Sequence, residues 1–377
     1  MTSEQLSTRA IVVRGLHNEG GWAMEDVKVR TIQDNELLVR MVASGICHTD
    51  IVFGDNAQDI GGWPRVMGHE GSGYVEKVGS KVTVAQVGDP VLLSYAACLK
   101  CQICESGHPS HCTSAGLINF VGNKAFHESS SSDANIQGSF FGQSSFANLS
   151  VVNETSVVNA KHLIKSEEEL KMFSPLGCGI QTGSGTIYNV AGAKPEDTVA
   201  IMGLGGVGLS GIMATKICGC KTIIGIDRVQ SRLDLAKELG ATHVINTSDV
   251  PDLVKAVQDL TEGYGTSITM DTTGLLALIK AGLEFTRIKG QYIQVGTTPP
   301  DAKLEIEVFK FMVAGKRFIG AVEGDVIPSE YLPKMIQWYR DGKFPVNRLI
   351  EYFKAEDFMK GIKAMESGGT IKPIILW

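Results

Sequence analysis

A short glycine-rich loop constrains the fold of this chain more than any other stretch of its sequence. The loop is Gly203-Leu204-Gly205-Gly206-Val207-Gly208, and it follows the apolar run 199–202 and precedes the longer apolar run 209–214. An apolar run, a glycine turn and a second apolar run predict a strand, a turn and a helix, which begin a βαβ unit that binds a dinucleotide. The phosphates would lie at the helix N-terminus.

The residues after the loop support the same interpretation. A second apolar run, 222–226, ends at Asp227, where such units carry a carboxylate that binds the adenosine ribose. Because this carboxylate would repel a ribose 2′-phosphate, we expect NAD rather than NADP as the cofactor, although the adjacent Arg228 could hold that phosphate. With 43 glycines in the chain, a glycine-rich turn in an ordinary α/β domain is the alternative.

Length and charge exclude several classes of protein. A chain of 377 residues is too long for one ordinary core and predicts two domains. A net charge of −6 gives nucleic-acid binding no support. The uncharged stretch 198–215 could span a membrane, but its glycines predict a strand plus a helix. The N-terminus lacks a signal-peptide pattern, so we expect a cytoplasmic protein with no membrane partner.

The two halves of the chain differ in pattern. Strands are predicted at 10–13, 27–30 and 37–42, and the short strands and tight turns of 71–91 are typical of a small barrel. From residue 198 onward, predicted strands alternate with amphipathic segments, which indicates a parallel, doubly wound α/β sheet. The strands predicted there are 198–203, 222–227, 243–246, 267–271 and 290–296.

Three further segments carry structural predictions. The serine-rich stretch 123–138 is predicted to form an exposed hairpin or loop without chemistry. The glycine-rich stretch 172–187, which contains Cys178, is interpreted as the passage between domains. The aromatic stretch 140–146 is either core packing or the wall of a substrate pocket.

Four closely spaced cysteines predict a structural metal site. Four thiolates within 15 residues suffice for a closed tetrahedral zinc site, with an iron–sulfur cluster as the alternative. His108 and His111 lie in the same lobe and are expected on the surface. The four cysteines are Cys98, Cys101, Cys104 and Cys112.

A second set of candidate zinc ligands lies earlier in the chain. Cys47 is followed by Asp50, and His69 is followed by Glu70. Taken singly, a buried cysteine is more often a small apolar side chain than a ligand. Cys218 and Cys220 are interpreted as inert thiols.

Together these features resemble the zinc-dependent medium-chain alcohol dehydrogenases over essentially the whole chain. The shared elements are Cys47, Gly68-His69-Glu70, the four-cysteine lobe, 176–179 and the glycine loop. The segments 140–146, 176–183, 323–325 and 371–373 are most similar to the benzyl (aryl) alcohol and geraniol dehydrogenase branch. The resemblance implies a GroES-like β-rich catalytic domain (1–179 and 322–377), a Rossmann domain (180–321), and a homodimer or homotetramer.

The resemblance also implies roles for individual residues. Cys47, His69 and Cys178 would bind a catalytic zinc, while Glu70 and Asp50 would tune that site, Glu70 as a transient ligand. Thr49 would hydrogen-bond the substrate oxygen. Residues implied in cofactor binding are His48, Thr182, Gly203, Gly205, Gly206, Val207, Gly208, Asp227, Arg228, Arg232, Val295 and Lys372.

The implied activity is the NAD-dependent interconversion of a primary alcohol and its aldehyde by a chain that holds two zinc ions. Phe140, Phe141, Tyr95 and Trp63 suggest a pocket for benzyl, cinnamyl or terpenoid alcohols. A pathway-specific aldehyde or ketone reductase of the same family is one alternative. A dinucleotide-binding protein without catalytic activity is another.

Proton transfer is the point at which this chain differs from many members of the family. Those members have a histidine, which passes the alcohol proton to solvent, where this chain has Val52. The relay is therefore expected to start at Thr49 and the nicotinamide ribose and to leave by water or through His48. A His48 that only neutralises the pyrophosphate is the alternative.

Overall fold

The computed structural model describes residues 6–128, 131 and 135–377. The chain divides into two compact units. The first comprises Met1–Cys178, Ile327–Gln337 and Asn347–Trp377, and the second comprises Gly179–Val326 and Trp338–Val346. The first change of unit, after Cys178, falls inside the glycine-rich segment 172–187. The domain limits expected from the family resemblance, 1–179 with 322–377 and 180–321, remain a prediction.

Strands and helices are numbered in chain order. The strands are β1 (Leu6–Val13), β2 (Trp22–Val29), β3 (Glu36–Gly45), β4 (Arg65–Val66), β5 (Gly71–Val78), β6 (Pro90–Leu93), β7 (Asn123–Glu128), β8 (Ile136–Gly138), β9 (Leu149–Asn153), β10 (Val157–Asn159), β11 (Thr198–Met202), β12 (Thr222–Asp227), β13 (His243–Asn246), β14 (Thr266–Asp271), β15 (Thr286–Gln294), β16 (Arg317–Gly320), β17 (Ile350–Lys354) and β18 (Lys372–Leu376). The helices are α1 (His48–Asp55), α2 (Gln102–Glu105), α3 (Glu167–Met172), α4 (Gly179–Gly185), α5 (Gly206–Ile217), α6 (Gln230–Leu239), α7 (Leu253–Asp259), α8 (Leu276–Phe285), α9 (Val308–Ala314), α10 (Pro328–Arg340) and α11 (Phe358–Glu366).

The first unit is built from a small closed barrel and an open sheet. The barrel has the strand order β1-β2-β7-β8-β4, and the open sheet has the order β10-β6-β5-β3-β18-β17 with β9 also paired to β3. The sequence pattern of 71–91 predicted a barrel there, but β5 and β6 lie in the open sheet. Barrel closure depends on distant pairings such as Val27 with Glu128, which a local pattern does not show.

The hairpin of residues 123–138 is not an exposed appendage. Its strands β7 and β8 belong to the closed barrel, and Ala125, Phe126 and Ile136 are completely buried. The prediction of an exposed segment is therefore wrong for these strands, because composition alone misses the apolar face that pairing with β2 buries. Serine-rich residues 129, 130 and 132–134 lie outside the described residues.

The second unit contains the predicted parallel sheet. Its six strands have the order β13-β12-β11-β14-β15-β16, so strand order reverses between β11 and β14. This 3-2-1-4-5-6 order is that of doubly wound dinucleotide-binding folds. Residues 198–215 form β11 and α5, as predicted. Within the described residues, no helix combines the length and apolar character needed to cross a membrane.

Candidate metal and dinucleotide sites

Asp50, in the first turn of α1, organises the first candidate metal site. One carboxylate oxygen accepts hydrogen bonds from the backbone N–H of Gly68 (2.9 Å) and pairs with His69 Nδ1 (2.8 Å). The other accepts the backbone N–H of Cys47 (3.0 Å), the residue that caps α1. Since Asp50 is completely buried, these bonds fix the cysteine and the histidine relative to each other.

Four potential ligands converge at this point. The ligand atoms of Cys47, His69, Glu70 and Cys178 all lie within 4.8 Å of one another. His69 Nε2 lies 3.2 Å from Cys178 Sγ. Because Nδ1 is bonded to Asp50, Nε2 is the nitrogen that faces the cluster, the arrangement usual for a zinc-binding histidine. Two thiolates and one imidazole, with a carboxylate beside them, fit a catalytic zinc ion.

The ionisation of these groups suits metal binding. A hydrogen bond from Cys178 and the positive charge of Lys372 hold the pKa of Cys47 well below that of a free thiol, despite its burial. Burial raises the pKa of Glu70, and Lys372 opposes that shift. Burial lowers the pKa of His69, but the charge of Asp50 outweighs it and the net shift is upward. Cys47 thus favours the thiolate, the form that binds metal.

Lys372 is buried beside Glu70. Its ammonium group donates to both carboxylate oxygens, at 2.8 and 2.9 Å, and to the carbonyl of Ile46 at 3.2 Å. The charge of Glu70 raises the pKa of Lys372 despite its burial. Sequence reasoning missed this ion pair, because its members stand 302 residues apart. A phosphate contact by Lys372 remains a prediction.

Two phenylalanines pack against the histidine ligand. The ring of Phe141 stacks on His69, with centroids 4.5 Å apart, and Phe140 meets the same ring edge-on at 5.5 Å. Phe140 is completely buried, so core packing is confirmed for it, whereas Phe141 keeps an exposed fraction of 6%. Tyr95 is also buried, and Trp63 donates its indole N–H to the carbonyl of Gly54.

A buried arginine supports this aromatic cluster. Arg65 is completely buried, with its guanidinium 5.8 Å from the ring centre of Phe140. It donates to the carbonyls of Ile60 and Phe120, and burial lowers its pKa to about 10. Sequence reasoning missed Arg65, because no local pattern distinguishes a buried arginine from a solvated one.

The four cysteines of the lobe form the second candidate metal site. Their Sγ atoms lie within 4.8 Å of one another, with Cys101 and Cys104 only 3.5 Å apart. Backbone hydrogen bonding by Thr113 lowers the pKa of Cys101 to about 5, whereas burial raises that of Cys104 to about 12. Four convergent thiols fit a closed tetrahedral zinc site. His108 and His111 are exposed, as expected.

The glycine loop of the second unit has the geometry that a pyrophosphate requires. Gly203 adopts φ +84°, and a Cβ on Gly208 would lie only 1.8 Å from the carbonyl oxygen of Gly203, so the close approach of helix to strand requires glycine. A Cβ on Gly205 would meet nothing within 4 Å, which leaves open space beside the helix N-terminus. The loop therefore fits a dinucleotide phosphate.

Asp227 ties this loop to the end of β12. One carboxylate oxygen accepts the N–H of Leu204 at 2.6 Å. The other accepts the N–H groups of Arg228 and Val229 at 2.7 and 2.9 Å. A carboxylate has about four acceptor positions, so Asp227 retains capacity for a ribose hydroxyl. Its contact with the loop was not anticipated from the sequence.

Comparisons with known proteins identify the family. Residues 33–165 match the family model described as alcohol dehydrogenase GroES-like domain, and residues 206–341 match that of zinc-binding dehydrogenase. A geraniol dehydrogenase of Castellaniella defragrans is 35% identical over 379 residues, covering 100% of this chain and 99% of the relative. The chain belongs to the zinc-containing medium-chain alcohol dehydrogenase family. It is accordingly a zinc-dependent alcohol dehydrogenase.

Solved structures resemble this dehydrogenase closely. Benzyl alcohol dehydrogenase from Acinetobacter calcoaceticus superimposes with a TM-score of 0.89 at 35% identity, covering 98% of this chain and 99% of that one. An alcohol dehydrogenase zinc-binding domain protein from Burkholderia ambifaria gives a TM-score of 0.92 at 35% identity, with 99% of each chain covered. The GroES-like fold of the N-terminal region and the Rossmann-type sheet are thereby confirmed.

Residues expected at the substrate and proton route lie on α1. His48 is exposed and Thr49 is partly buried, while Val52 is exposed. Val52 lies four residues after His48 on the same helix, so these two side chains share its solvent-exposed side.

Most of the residues expected near the cofactor of the dehydrogenase lie in the second unit, whereas His48 and Lys372 lie in the first. A guanidinium nitrogen of Arg232 is 4.0 Å from Asp227. Thr182 is buried in α4. Val295 follows β15, and its N–H donates to the carbonyl of Asp271. Val207 is the second residue of α5, and its carbonyl oxygen would lie 1.8 Å from a Cβ on Gly183.

The two remaining cysteines belong to neither metal cluster of the described chain. Cys220 donates to the carbonyl of Lys194, and burial raises its pKa to about 12. Burial also raises the pKa of Cys218. Both thiols therefore stay protonated near neutral pH, which agrees with their interpretation as inert.

Proposed function

We propose that this dehydrogenase interconverts a primary aromatic or allylic alcohol and its aldehyde, with NAD as the hydride acceptor. The observation that carries the proposal is the stacking of Phe141, which keeps an exposed fraction of 6%, on the candidate ligand His69. Flat, apolar rings beside a metal site favour a flat, apolar substituent next to the reacting carbon. The names of two relatives, geraniol dehydrogenase and benzyl alcohol dehydrogenase, support the same substrate class.

The side chains of the first candidate metal site would have distinct roles in the reaction. Cys47, His69 and Cys178 would bind the catalytic zinc. Bound zinc supplies a Lewis acid that lowers the pKa of an alcohol and polarises an aldehyde carbonyl. Asp50 would orient His69, and Glu70 would act as a transient ligand. The lobe cysteines would bind a second, structural zinc.

Thr49 would take the proton of the substrate hydroxyl into a hydrogen-bonded chain. Because Val52 replaces a histidine, this proton route would continue through the nicotinamide ribose to water or His48. The exposure of His48 on the first turn of α1 supports this route, because its imidazole can exchange protons with solvent. Contact with the pyrophosphate is the alternative role for this histidine.

A preference for NAD would depend on Asp227. Its carboxylate is held at the end of β12 by backbone N–H groups, where it can accept the ribose 2′-hydroxyl but would repel a 2′-phosphate. Arg232 and Arg228 would flank the adenosine ribose.

A homodimer or homotetramer would cover an apolar surface of the second unit. Four exposed apolar side chains of α9 form this surface, Val308, Phe309, Met312 and Val313. The neighbouring β16 is the outer strand of the six-stranded sheet. An exposed apolar helix that precedes an outer strand in the chain is a surface that a second copy of the chain can bury.

A cytoplasmic location is also part of the proposal, and it depends on family membership alone.

The deciding experiment is a substrate panel assayed in both directions with NAD and NADP. Benzyl, cinnamyl and geranyl alcohols should give kcat/KM at least about 10-fold above ethanol and 2-propanol, since each buried methylene adds about 0.8 kcal/mol. Faster turnover of short aliphatic alcohols would contradict the substrate class. A strong excess of aldehyde or ketone reduction would favour the reductase alternative, and absence of any turnover would favour a non-catalytic binding protein.

A further inference from the structure

A strained, buried turn follows the last strand of the Rossmann-type sheet. Glu323, Gly324 and Asp325 have φ angles of +51°, +66° and +48°. Left-handed backbone is uncommon for residues with a side chain, and it persists where the surrounding structure over-determines it. Glu323 is only 8% exposed, so the turn carries a largely buried carboxylate.

Helix α4 holds this carboxylate in place. One oxygen of Glu323 accepts hydrogen bonds from the Gln181 amide (2.9 Å) and the Thr182 hydroxyl (3.3 Å). The backbone is equally constrained, because a Cβ on Gly324 would lie 2.6 Å from the carbonyl oxygen of Gln181. Since both α4 side chains donate, the carboxylate acts as an acceptor at a fixed position.

The sheet register shows which half of the dinucleotide site this turn adjoins. The parallel pairings Met202 with Asp271, Asp271 with Gln294 and Gln294 with Gly320 align the carboxyl ends of β11, β14, β15 and β16 at one edge. Ligands of such sheets bind outside that edge, across the reversal of strand order. Asp227, the adenosine-side carboxylate, ends β12 on the other side of β11. The β14 to β16 side therefore adjoins the nicotinamide half.

We propose that Glu323 places a fixed negative charge at the nicotinamide half of the site and thereby favours the oxidised cofactor. The inference rests on the proposed use of NAD. The oxidised nicotinamide ring carries a positive charge, which the reduced ring has lost. A buried carboxylate is poorly screened, so it attracts the oxidised ring and has little effect on the reduced ring. Glu323 thus sets the ratio of the two affinities.

The test measures the Kd of NAD+ and of NADH for the zinc-loaded enzyme, by calorimetry and by NADH fluorescence, without substrate. Glu323→Gln keeps the size and the acceptor oxygen but removes the charge. We expect the Kd of NAD+ to rise about 10-fold and that of NADH to change less than about 2-fold. Glu323→Asp, which keeps the charge, should retain most of the wild-type ratio.

Two further variants make the result decisive. Asp325→Asn removes a charge from the same turn, two residues further along, and should leave the ratio within about 2-fold of wild type. If Glu323→Gln fails to fold, Glu323→Gly removes the charge while suiting the positive φ, and should change the ratio equally. Equal changes in both Kd values, or no change, would overturn the inference in favour of a structural role. Wild-type enzyme that binds neither cofactor would instead refute the proposed NAD dependence.

Discussion

Asp50 shows how a single side chain can position the potential ligands of a candidate metal site. Its two oxygens contact three groups, the N–H of Cys47, the N–H of Gly68 and Nδ1 of His69. An asparagine at this position presents one acceptor and one donor, so at least one of these contacts becomes repulsive. Residues that orient metal ligands in this way typically contribute 10- to 100-fold to metal affinity.

We therefore expect Asp50→Asn to weaken zinc binding at the Cys47 site by about 10- to 100-fold. Competition with a chelating dye measures this affinity, and bound zinc should fall from two ions to one at a chelator concentration that wild type tolerates. Asp59→Asn, an exposed carboxylate nearby, is the matched control and should leave zinc unchanged. Equal zinc retention by both variants would show that Asp50 does not support the ligands.

His48 and Thr49 are the residues at which the proton route can be tested. We expect Thr49→Val to lower kcat by roughly 100-fold, because it removes the first proton acceptor. His48→Gln should lower kcat by about 10-fold, with partial rescue by added imidazole. A raised KM for the cofactor with unchanged kcat would instead indicate that His48 only contacts the pyrophosphate. The measurement is steady-state kinetics with saturating alcohol.

Asp227 is the residue at which the proposed preference for NAD over NADP can be tested. Replacing Asp227 by Ser removes the repulsion of a 2′-phosphate, so the ratio of kcat/KM for NAD to that for NADP should fall by about 10-fold or more. The same change removes the acceptor of the Leu204 N–H, so efficiency with NAD should also decrease. If wild type used NADP as well as NAD, the assigned role of this carboxylate would be wrong, and Arg228 would be the residue to test.

At the scale of elements, the four-cysteine lobe contains little secondary structure and few buried side chains that could stabilise it without a metal ion. Its only α-helix in the described chain is α2, which is four residues long, and Cys112 is the only one of its four thiols that is buried. We therefore expect the folding of this segment to depend on the free energy of metal binding.

The two candidate metal sites should therefore respond differently to loss of a ligand. Cys112→Ser should lower Tm by about 10 °C, which corresponds to a stability loss of roughly 2.5–5 kcal/mol at 2–4 °C per kcal/mol for a unit of this size. Cys47→Ser should abolish turnover while changing Tm much less. Cys218→Ser, a thiol outside both clusters, is the control and should keep two zinc ions and full activity. Metal analysis that finds one zinc or fewer in fully active protein would exclude the two-zinc assignment.

At the scale of the whole molecule, the apolar surface of α9 predicts self-association. Phe309 is 74% exposed, which is costly for a large apolar side chain that nothing covers. Phe309→Glu should shift the mass measured by light scattering from an oligomer toward the 40.5 kDa monomer. Tyr264→Glu introduces the same charge at a residue that is 75% exposed elsewhere in the second unit, and should leave the mass unchanged. A monomeric wild-type protein would contradict the proposed homo-oligomer.

The sequence by itself determined the parts of this protein that depend on short-range spacing. The loop 203–208 requires glycine for steric reasons that act within a few residues, and four cysteines within 15 residues can converge without help from the rest of the fold. The alternation of strands and helices after residue 198 likewise predicted the parallel sheet, because each βα unit carries its own hydrophobic period.

Only the tertiary structure decided which distant residues meet. Residues 71–91 were predicted in a barrel but lie in the open sheet, and residues 123–138 were predicted as an exposed segment but form barrel strands. The reason is that pairing between strands far apart in sequence determines which sheet a strand joins. The ion pair of Lys372 with Glu70, the burial of Arg65 and the contact of Glu323 with α4 are likewise long-range. A charged group can be buried stably only where the packing of the chain supplies its partners. In these cases no local stretch of sequence contains both the charged group and its partner.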